Sequence, residues 1–315
     1  MPNWAAVHGR LERACLEPGT SKQLRVSVLD LLRPVVPYDA YVWLLTDPVT
    51  RVGTVPLADI PGLPWVELPA LIRQRYLGQD WFNFRPDGAI DVFTSLYVDK
   101  FGCWGWLDLW RTGVCFTPDE RAFLTSLQPA LTTAQRTAQA RTFTDPPVDA
   151  QPPGAAVLVL GADLTLKGHT SAAVSTLLRL NPPDRDIPLV PAAAYNVGAA
   201  LLAGEAGRRV GAAWSRVHLA GGHWVTLSAA RMDSGDIAVA VEPCTSAQRR
   251  EVFALAHALS PRERQVLDEL ATGADSSAIA ERLVISEHTV NDHVKAILAK
   301  TSAPTRARLL ARLTG

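Results

Sequence analysis

Two stretches near the carboxyl end decide the reading of this chain: Leu259-Ser260-Pro261-Arg262-Glu263-Arg264-Gln265-Val266-Leu267, and Ala280-Glu281-Arg282-Leu283-Val284-Ile285-Ser286-Glu287-His288-Thr289-Val290-Asn291-Asp292-His293-Val294-Lys295. Ser260 and Glu263 stand three apart as a capping box, and Pro261 already holds the dihedral of a first helical residue, so a helix starts there. Val266, Leu267 and Leu270 form its apolar stripe, and Gly273 can take the left-handed conformation that stops it. Asp275 or Ser276 caps a second helix with Ile279, Ala280 and Leu283 facing inward. Ser286 caps a third, where Glu287 suits the positive end and Val290, Val294, Ile297 and Leu298 repeat at helical spacing. Pro304 precedes a fourth helix whose Leu309, Leu310 and Leu313 make an apolar surface able to pair with a second copy.

On the third helix His288, Asn291, Asp292 and Lys295 share the face turned away from this stripe. A helix is narrow enough for the major groove, where Asn can bond an adenine edge at two points, Asp can accept from cytosine, and Lys can reach guanine or phosphate. Taken alone, the same four residues also suit a solvated face of a small helical bundle. Caps, turn and spacing together favour a helix-turn-helix reader.

Residues 259–313 resemble the LuxR-type (GerE-like) DNA-binding domain, with Glu263, Gly273, Ile279, Ala280, Leu283, Ser286, Thr289, Val290, His293 and Lys300 at that family's spacing. The resemblance implies an all-α four-helix domain over 258–315 that binds double-stranded DNA as a homodimer, with RNA polymerase as a further candidate partner. It implies a DNA surface made of His288, Thr289, Asn291, Asp292, Lys295 and Lys300. One departure bears on affinity: the family usually places lysine after Thr-Val, and this chain has Asn291-Asp292. Residues 258–315 carry 8 Lys and Arg against 7 Asp and Glu. Phosphate neutralisation supplies most nonspecific affinity, so a domain this weakly basic should bind poorly as a monomer, and a dimer would double its contacts. Asp292 either repels phosphate at wrong sequences or pairs with Lys295 three residues on.

The rest of the chain is read more coarsely. Its 315 residues allow two or three compact units. At 48% apolar and 20% charged it is globular in composition, and 31 basic residues balance 31 acidic ones, so any nucleic-acid site is local. A proline-dense stretch over 146–154 reads as a linker. The expected organisation is α+β and multidomain: a mixed α/β unit over 1–145, a second over 155–245, a connector over 246–257, and the helical domain. No uninterrupted apolar run of about 18 residues occurs and the first ten residues lack a signal-peptide core, so a cytoplasmic protein without membrane contact is expected. Cys15, Cys103, Cys115 and Cys244 form no CxxC pair.

The first unit holds seven of the nine tryptophans. Tyr41 to Leu45 and Trp104 to Trp110 read as strands, the second with Trp104, Trp106, Asp108 and Trp110 on one face. Helices are expected over Ser21 to Leu32, over Pro69 to Tyr76, and from Thr117-Pro118-Asp119-Glu120 toward Arg141, with Pro129 kinking or dividing the last. Pro37 to Tyr41, Thr46-Asp47-Pro48, Phe101 to Trp110 and Phe116 to Glu120 resemble a GAF-type sensory domain. In the middle unit strands are expected at Ala156 to Leu160, Leu164 to Leu166, Trp214 to Leu219, His223 to Ala230 and Asp236 to Val241, with a helix from Ser171 to Leu180. This unit resembles a PAS-like domain.

A sheet lined by Tyr41, Trp43, Trp104, Trp106 and Trp110, with Trp81 and Phe84 in a lid, could hold a flat or apolar ligand. The same aromatics could simply fill a core. His169, His218 and His223 fit no metal-ligand spacing, so neither metal nor cofactor is expected. Cys103 and Cys115 read as a buried, inert pair rather than a redox sensor. The sequence holds no GxSxG elbow, P-loop, HExxH or GxGxxG, so no enzyme is indicated. The function expected is a DNA-binding regulator under sensory control. The alternative is a scaffold whose helical end docks on protein.

Overall fold

A computed structural model describes residues 4–78, 84–143, 154–173, 176, 192–219 and 222–314. The first unit opens with α1 (Trp4–Leu16) and α2 (Ser21–Leu32), the latter started by a capping box between Thr20 and Gln23. Strands β1 (Ala40–Thr46) and β2 (Gly53–Asp59) follow, then α3 (Leu68–Leu77), β3 (Asp91–Asp99) and β4 (Gly102–Arg111). They form one antiparallel sheet in the order β2-β1-β4-β3. The exit helix starts at the expected Thr117–Glu120 capping box. Pro129 divides it into α4 (Pro118–Ser126) and α5 (Gln128–Ala140), because a proline fits the first turn of a helix but not its interior.

Strand β4 departs from the expected alternation. Tyr97 pairs with Gly105 and Val98 with Cys103, so Trp104 is an extra, bulged residue. Gly105 has φ 153, and a Cβ there would lie 2.5 Å from the Leu44 carbonyl oxygen. The bulge turns Trp104 to the side of Leu107 and Leu109, where α1, α2 and α5 cover the sheet over Trp43 and Tyr97. Trp106, Asp108 and Trp110 face the opposite side, toward α3. The four residues read as one face are therefore split.

The middle unit has β5 (Ala156–Leu160), β6 (Leu166–His169), α6 (Ala192–Glu205), β7 (Trp214–His218), β8 (Trp224–Arg231) and β9 (Ile237–Pro243). Its sheet is antiparallel in the order β6-β5-β9-β8-β7, so in both sheets the first strand of the unit pairs with the last. The helix expected from Ser171 is present at 171–173 and 176, and its remainder lies outside the described residues. Helix α6 lacks an amphipathic pattern because it is buried nearly all round. A Cβ on Gly198 would meet Leu164 at 3.0 Å, and one on Gly53 of β2 would meet Asn196 at 3.0 Å. Alanine and glycine let this helix sit between the two units.

Residues read as a connector form α7 (Ser246–Ala256), capped by Thr245 and Gln248, and then α8 (Pro261–Ala271), α9 (Ser276–Leu283), α10 (Glu287–Thr301) and α11 (Arg306–Thr314) complete the chain. Val252, Phe253 and Leu255 of α7 join a single apolar core that runs from Leu11 and Leu29 of the first unit to Val266 and Leu313 of the last. The fourth-helix stripe expected to face a second copy is spent on this core, with Leu309 and Leu313 buried. Arg249 of α7 closes the contact, donating to the Arg312 carbonyl at 3.1 and 3.2 Å and to the Gly222 carbonyl at 2.8 Å. Phe143 stacks on Trp224 at 5.0 Å and meets Phe253 edge-on at 5.2 Å.

One buried ion pair ties the two sheets to α7. Arg216 of β7 donates from Nε and Nη2 to Asp47 at 2.7 and 3.1 Å, and its backbone N–H adds a third bond at 3.0 Å. Both side chains are 0% exposed. The remaining Arg216 nitrogen reaches Glu251 at 2.5 Å and the Gln248 carbonyl at 3.1 Å, both on α7. Among the described residues no helix is long and apolar enough to cross a membrane.

Candidate nucleic-acid interface

The helices of 258–314 start and stop where local chemistry places them. Asp275 accepts from the Ala278 N–H at 2.8 Å to cap α9, and the Ser286 hydroxyl accepts from the Thr289 N–H at 3.1 Å to cap α10. Between them Val284 is left-handed (φ 54, ψ 54) and 88% exposed. Val290, Val294 and Ile297 bury the inner side of α10 against α8 and α9.

The outer side of α10 stands in water. His288 and Lys295 side chains are 85% and 77% exposed, and Asp292, 56% exposed, lies between them. Asp292 is 3.4 Å from His288 Nε2 and 3.7 Å from Lys295 Nζ, so the pairing with Lys295 is present. At this exposure such a contact contributes about 0–1 kcal/mol, which leaves Lys295 free to exchange Asp292 for a phosphate or a base.

Asn291 is exposed on the same face but anchored from behind. Its Oδ1 accepts from the Ser276 hydroxyl at 3.0 Å and from Arg306 Nη2 at 3.2 Å, and Arg306 Nη2 also donates to Ser276 Oγ at 2.8 Å. Thr289 is half-buried at the helix start, its hydroxyl 2.9 Å from that of Ser286. Lys300 is placed apart from the rest. It donates to Glu263 at 2.7 Å and to the Ala258 carbonyl at 3.4 Å, which locks the capping box of α8. Burial opposes ionisation of Glu263, yet the bonds from Lys300 and from the Ser260 N–H hold its carboxyl below the ordinary value. Four of the six residues named from sequence thus share one open surface, Thr289 edges it, and Lys300, its side chain 40% exposed, is bonded to Glu263 apart from them. Ser276 and Arg306 were not legible as site residues; each sits in the first turn of another helix, and only the packing of α9 and α11 against α10 brings them to Asn291.

The aromatic residues proposed for a ligand do not converge. Tyr41, Trp43 and Trp104 belong to the helix-covered side: Trp43 is fully buried 5.5 Å from Tyr97, and Trp104 Nε1 donates to Asp99 at 3.0 Å. Trp106, Trp110 and Phe84 belong to the other side. There the Arg75 guanidinium lies 4.8 Å from Trp106 and 5.4 Å from Phe84 and is bonded to Asp108, which also accepts from the Thr94 hydroxyl at 2.7 Å. Trp110 Nε1 and Arg75 Nε are buried with no hydrogen-bond partner among the described residues. Trp81 lies outside the described residues. Of the two cysteines read as a buried pair, Cys103 is buried, which pushes its thiol pKa up, but Cys115 is exposed. His218 and His257 are pushed down to about 4, chiefly by burial; Arg249 and His223 add to the effect on His218, and Arg312 and Arg136 to that on His257.

A polar helix held out in water by a short turn and a preceding helix defines a helix-turn-helix module. Residues 257–312 match the family model of bacterial regulatory proteins, luxR family (GerE), and this segment is a LuxR-type helix-turn-helix domain. No curated protein matches the chain. Among solved structures, SdiA in complex with octanoyl-rac-glycerol aligns over 100% of this chain and 97% of its own, at 13% identity and a TM-score of 0.23. Escherichia coli SdiA in space group P6522 aligns over 98% and 96%, at 12% identity and a TM-score of 0.22. At those scores the alignments carry no inference about this chain.

Proposed function

We propose that the chain is a sequence-specific, DNA-binding transcription regulator whose two front units control the presentation of α10. The observation that carries this reading is the open polar face of α10, with His288, Asn291, Asp292 and Lys295 on a LuxR-type scaffold. Dimerisation fits the weak charge of the domain, since two copies on paired half-sites would double the phosphate contacts. The dimer must use a surface other than Leu309 and Leu313, or release them from α7. The GAF-like reading of 1–145 and the PAS-like reading of 155–245 make the front units sensors, and α7 is placed to relay their state because it touches both units and the reader. A small molecule in the first unit would lie on the α3 side, where Trp110 Nε1 and Arg75 Nε lack partners among the described residues. RNA polymerase is the partner expected once the reader is on DNA.

The test is selection of duplexes from a random pool by the full chain, followed by affinity measurement across salt. Enrichment of one sequence and a linear fall of log affinity with log salt support the reading. Binding that ignores both sequence and salt would favour a protein-docking scaffold instead.

A further inference from the structure

We propose that Asn291 reads the acceptor edge of a guanine rather than an adenine, and that Ser276 and Arg306 are the positioning residues that set this preference. The inference rests on the DNA-binding reading above. An asparagine that recognises adenine uses both ends of its amide, the oxygen accepting from N6 and the nitrogen donating to N7. Here the oxygen is already engaged. Its two lone pairs take the Ser276 hydroxyl at 3.0 Å and Arg306 Nη2 at 3.2 Å. Arg306 also donates to Ser276, closing a triangle of side chains from the starts of α9 and α11 and the second turn of α10.

The orientation of the amide follows from chemistry rather than from its placement alone. A guanidinium has only donors, so exchanging the amide oxygen and nitrogen would set an NH2 group against the N–H of Arg306 and lose that bond, although the Ser276 hydroxyl could still accept from it. What Asn291 presents outward is therefore its NH2 group, which has no partner among the described residues. In the major groove guanine offers N7 and O6 side by side, two acceptors for two hydrogens of one amide. Adenine offers N7 beside its N6 amino group, which would meet a donor with a donor. Thymine offers one acceptor beside a methyl group, and cytosine offers a donor. The order expected is guanine, then thymine, with adenine and cytosine disfavoured.

The experiment is selection from a random-duplex pool by the full chain, its Asn291→Ala variant and a Ser276→Ala/Arg306→Ala double variant, each checked for native circular dichroism. The parent is expected to select guanine at the position whose preference Asn291→Ala relaxes. The double variant, with the amide oxygen released, is expected to raise adenine over guanine there by about tenfold, with other positions unchanged. Should the double variant not fold, Ser276→Ala alone, which keeps Arg306 in place, is expected to give a smaller shift in the same direction. Adenine at that position in the parent would overturn the inference while leaving the regulator reading intact, as would no shift in the folded variants. An Asn291→Ala loss spread evenly over all sequences would make the contact a phosphate contact and overturn it too. Failure of any duplex to enrich would remove the regulator reading itself.

Discussion

Asp292 with Lys295 on α10 and Asp47 with Arg216 between the sheets are both pairs of a carboxylate with a cationic side chain, in opposite settings. The first is 3.7 Å apart in water, and the second makes three bonds of 2.7 to 3.1 Å with both side chains fully buried. Water makes the first pair weak and exchangeable, whereas burial makes the second costly to disturb, because either partner left alone would be a dry, unpaired charge. The chain thus keeps its charges loose on the open face of α10 and locked where its units hold together. The contrast is sharpest in Asp47→Ala, expected to cost about 3–5 kcal/mol in urea unfolding. Lys295→Ala should change stability by less than about 0.5 kcal/mol. A loss under about 1 kcal/mol for Asp47→Ala would erase the distinction.

Acid probes the junction. His218 and His257 both titrate at about 4 when folded, against an ordinary value of 6.5, so the unfolded chain binds their protons first. Their contribution is present above pH 6.5 and is lost as pH falls from there toward 4. At pH 5.5 each costs about 1.4 kcal/mol, so the pair costs about 3 kcal/mol relative to pH 7.5. Carboxylates such as Glu263, whose ordinary value is 4.5, respond only at lower pH, which isolates the histidines in this window. Urea midpoints at pH 7.5 and 5.5 check this, and a His218→Asn/His257→Asn variant should be flat between them. An equally steep fall in that variant would place the acid sensitivity elsewhere.

On the open side the effects move from stability to binding. Asn291→Ala is expected to weaken a selected duplex by about 1–3 kcal/mol and random duplex hardly at all. Lys295→Ala should weaken both alike if it meets phosphate, or relax one base position if it meets guanine. Titrations of fluorescent cognate and scrambled duplexes decide between these outcomes. A stability loss above about 1 kcal/mol in either variant would mean that the outer face of α10 is part of the packing after all.

The reader was legible from sequence because its signals are local. Ser260 with Glu263, Asp275, Ser286 and the Val290, Val294, Ile297 stripe each act within one or two turns, and all fall where they were placed. What could not be read depends on partners far along the chain. Trp104 leaves the face of Trp106 because Gly105 meets Leu44, 61 positions earlier, and Leu309 is buried because α7 folds back on it. Helix α6 has no amphipathic pattern to detect, since both of its sides are apolar. Lys300 matched its family's spacing, yet only the packing of α10 on α8 shows that its amine is taken by Glu263. Charge pairs such as Arg216 with Asp47, 169 positions apart, leave no trace in spacing.

A small effect lies at the border of the two regimes, in the turn that lifts α10 into water. Val284 holds a left-handed backbone that costs a branched residue about 1–2 kcal/mol, and at 88% exposure its side chain recovers little of this by packing. Glycine would remove that strain but lose more freedom on folding, so Val284→Gly is expected to stabilise the chain by about 0.5–1 kcal/mol. Gly273, left-handed at φ 86 two helix ends away, supplies the converse: Gly273→Val should destabilise by a similar amount. Urea midpoints of both variants test the pair, and a destabilised Val284→Gly would show that the isopropyl group packs in solution. Duplex affinity then separates shape from contact. A more stable Val284→Gly variant with unchanged affinity makes the turn a pure support for α10, whereas a more stable variant with weaker affinity means that the valine itself reaches the groove.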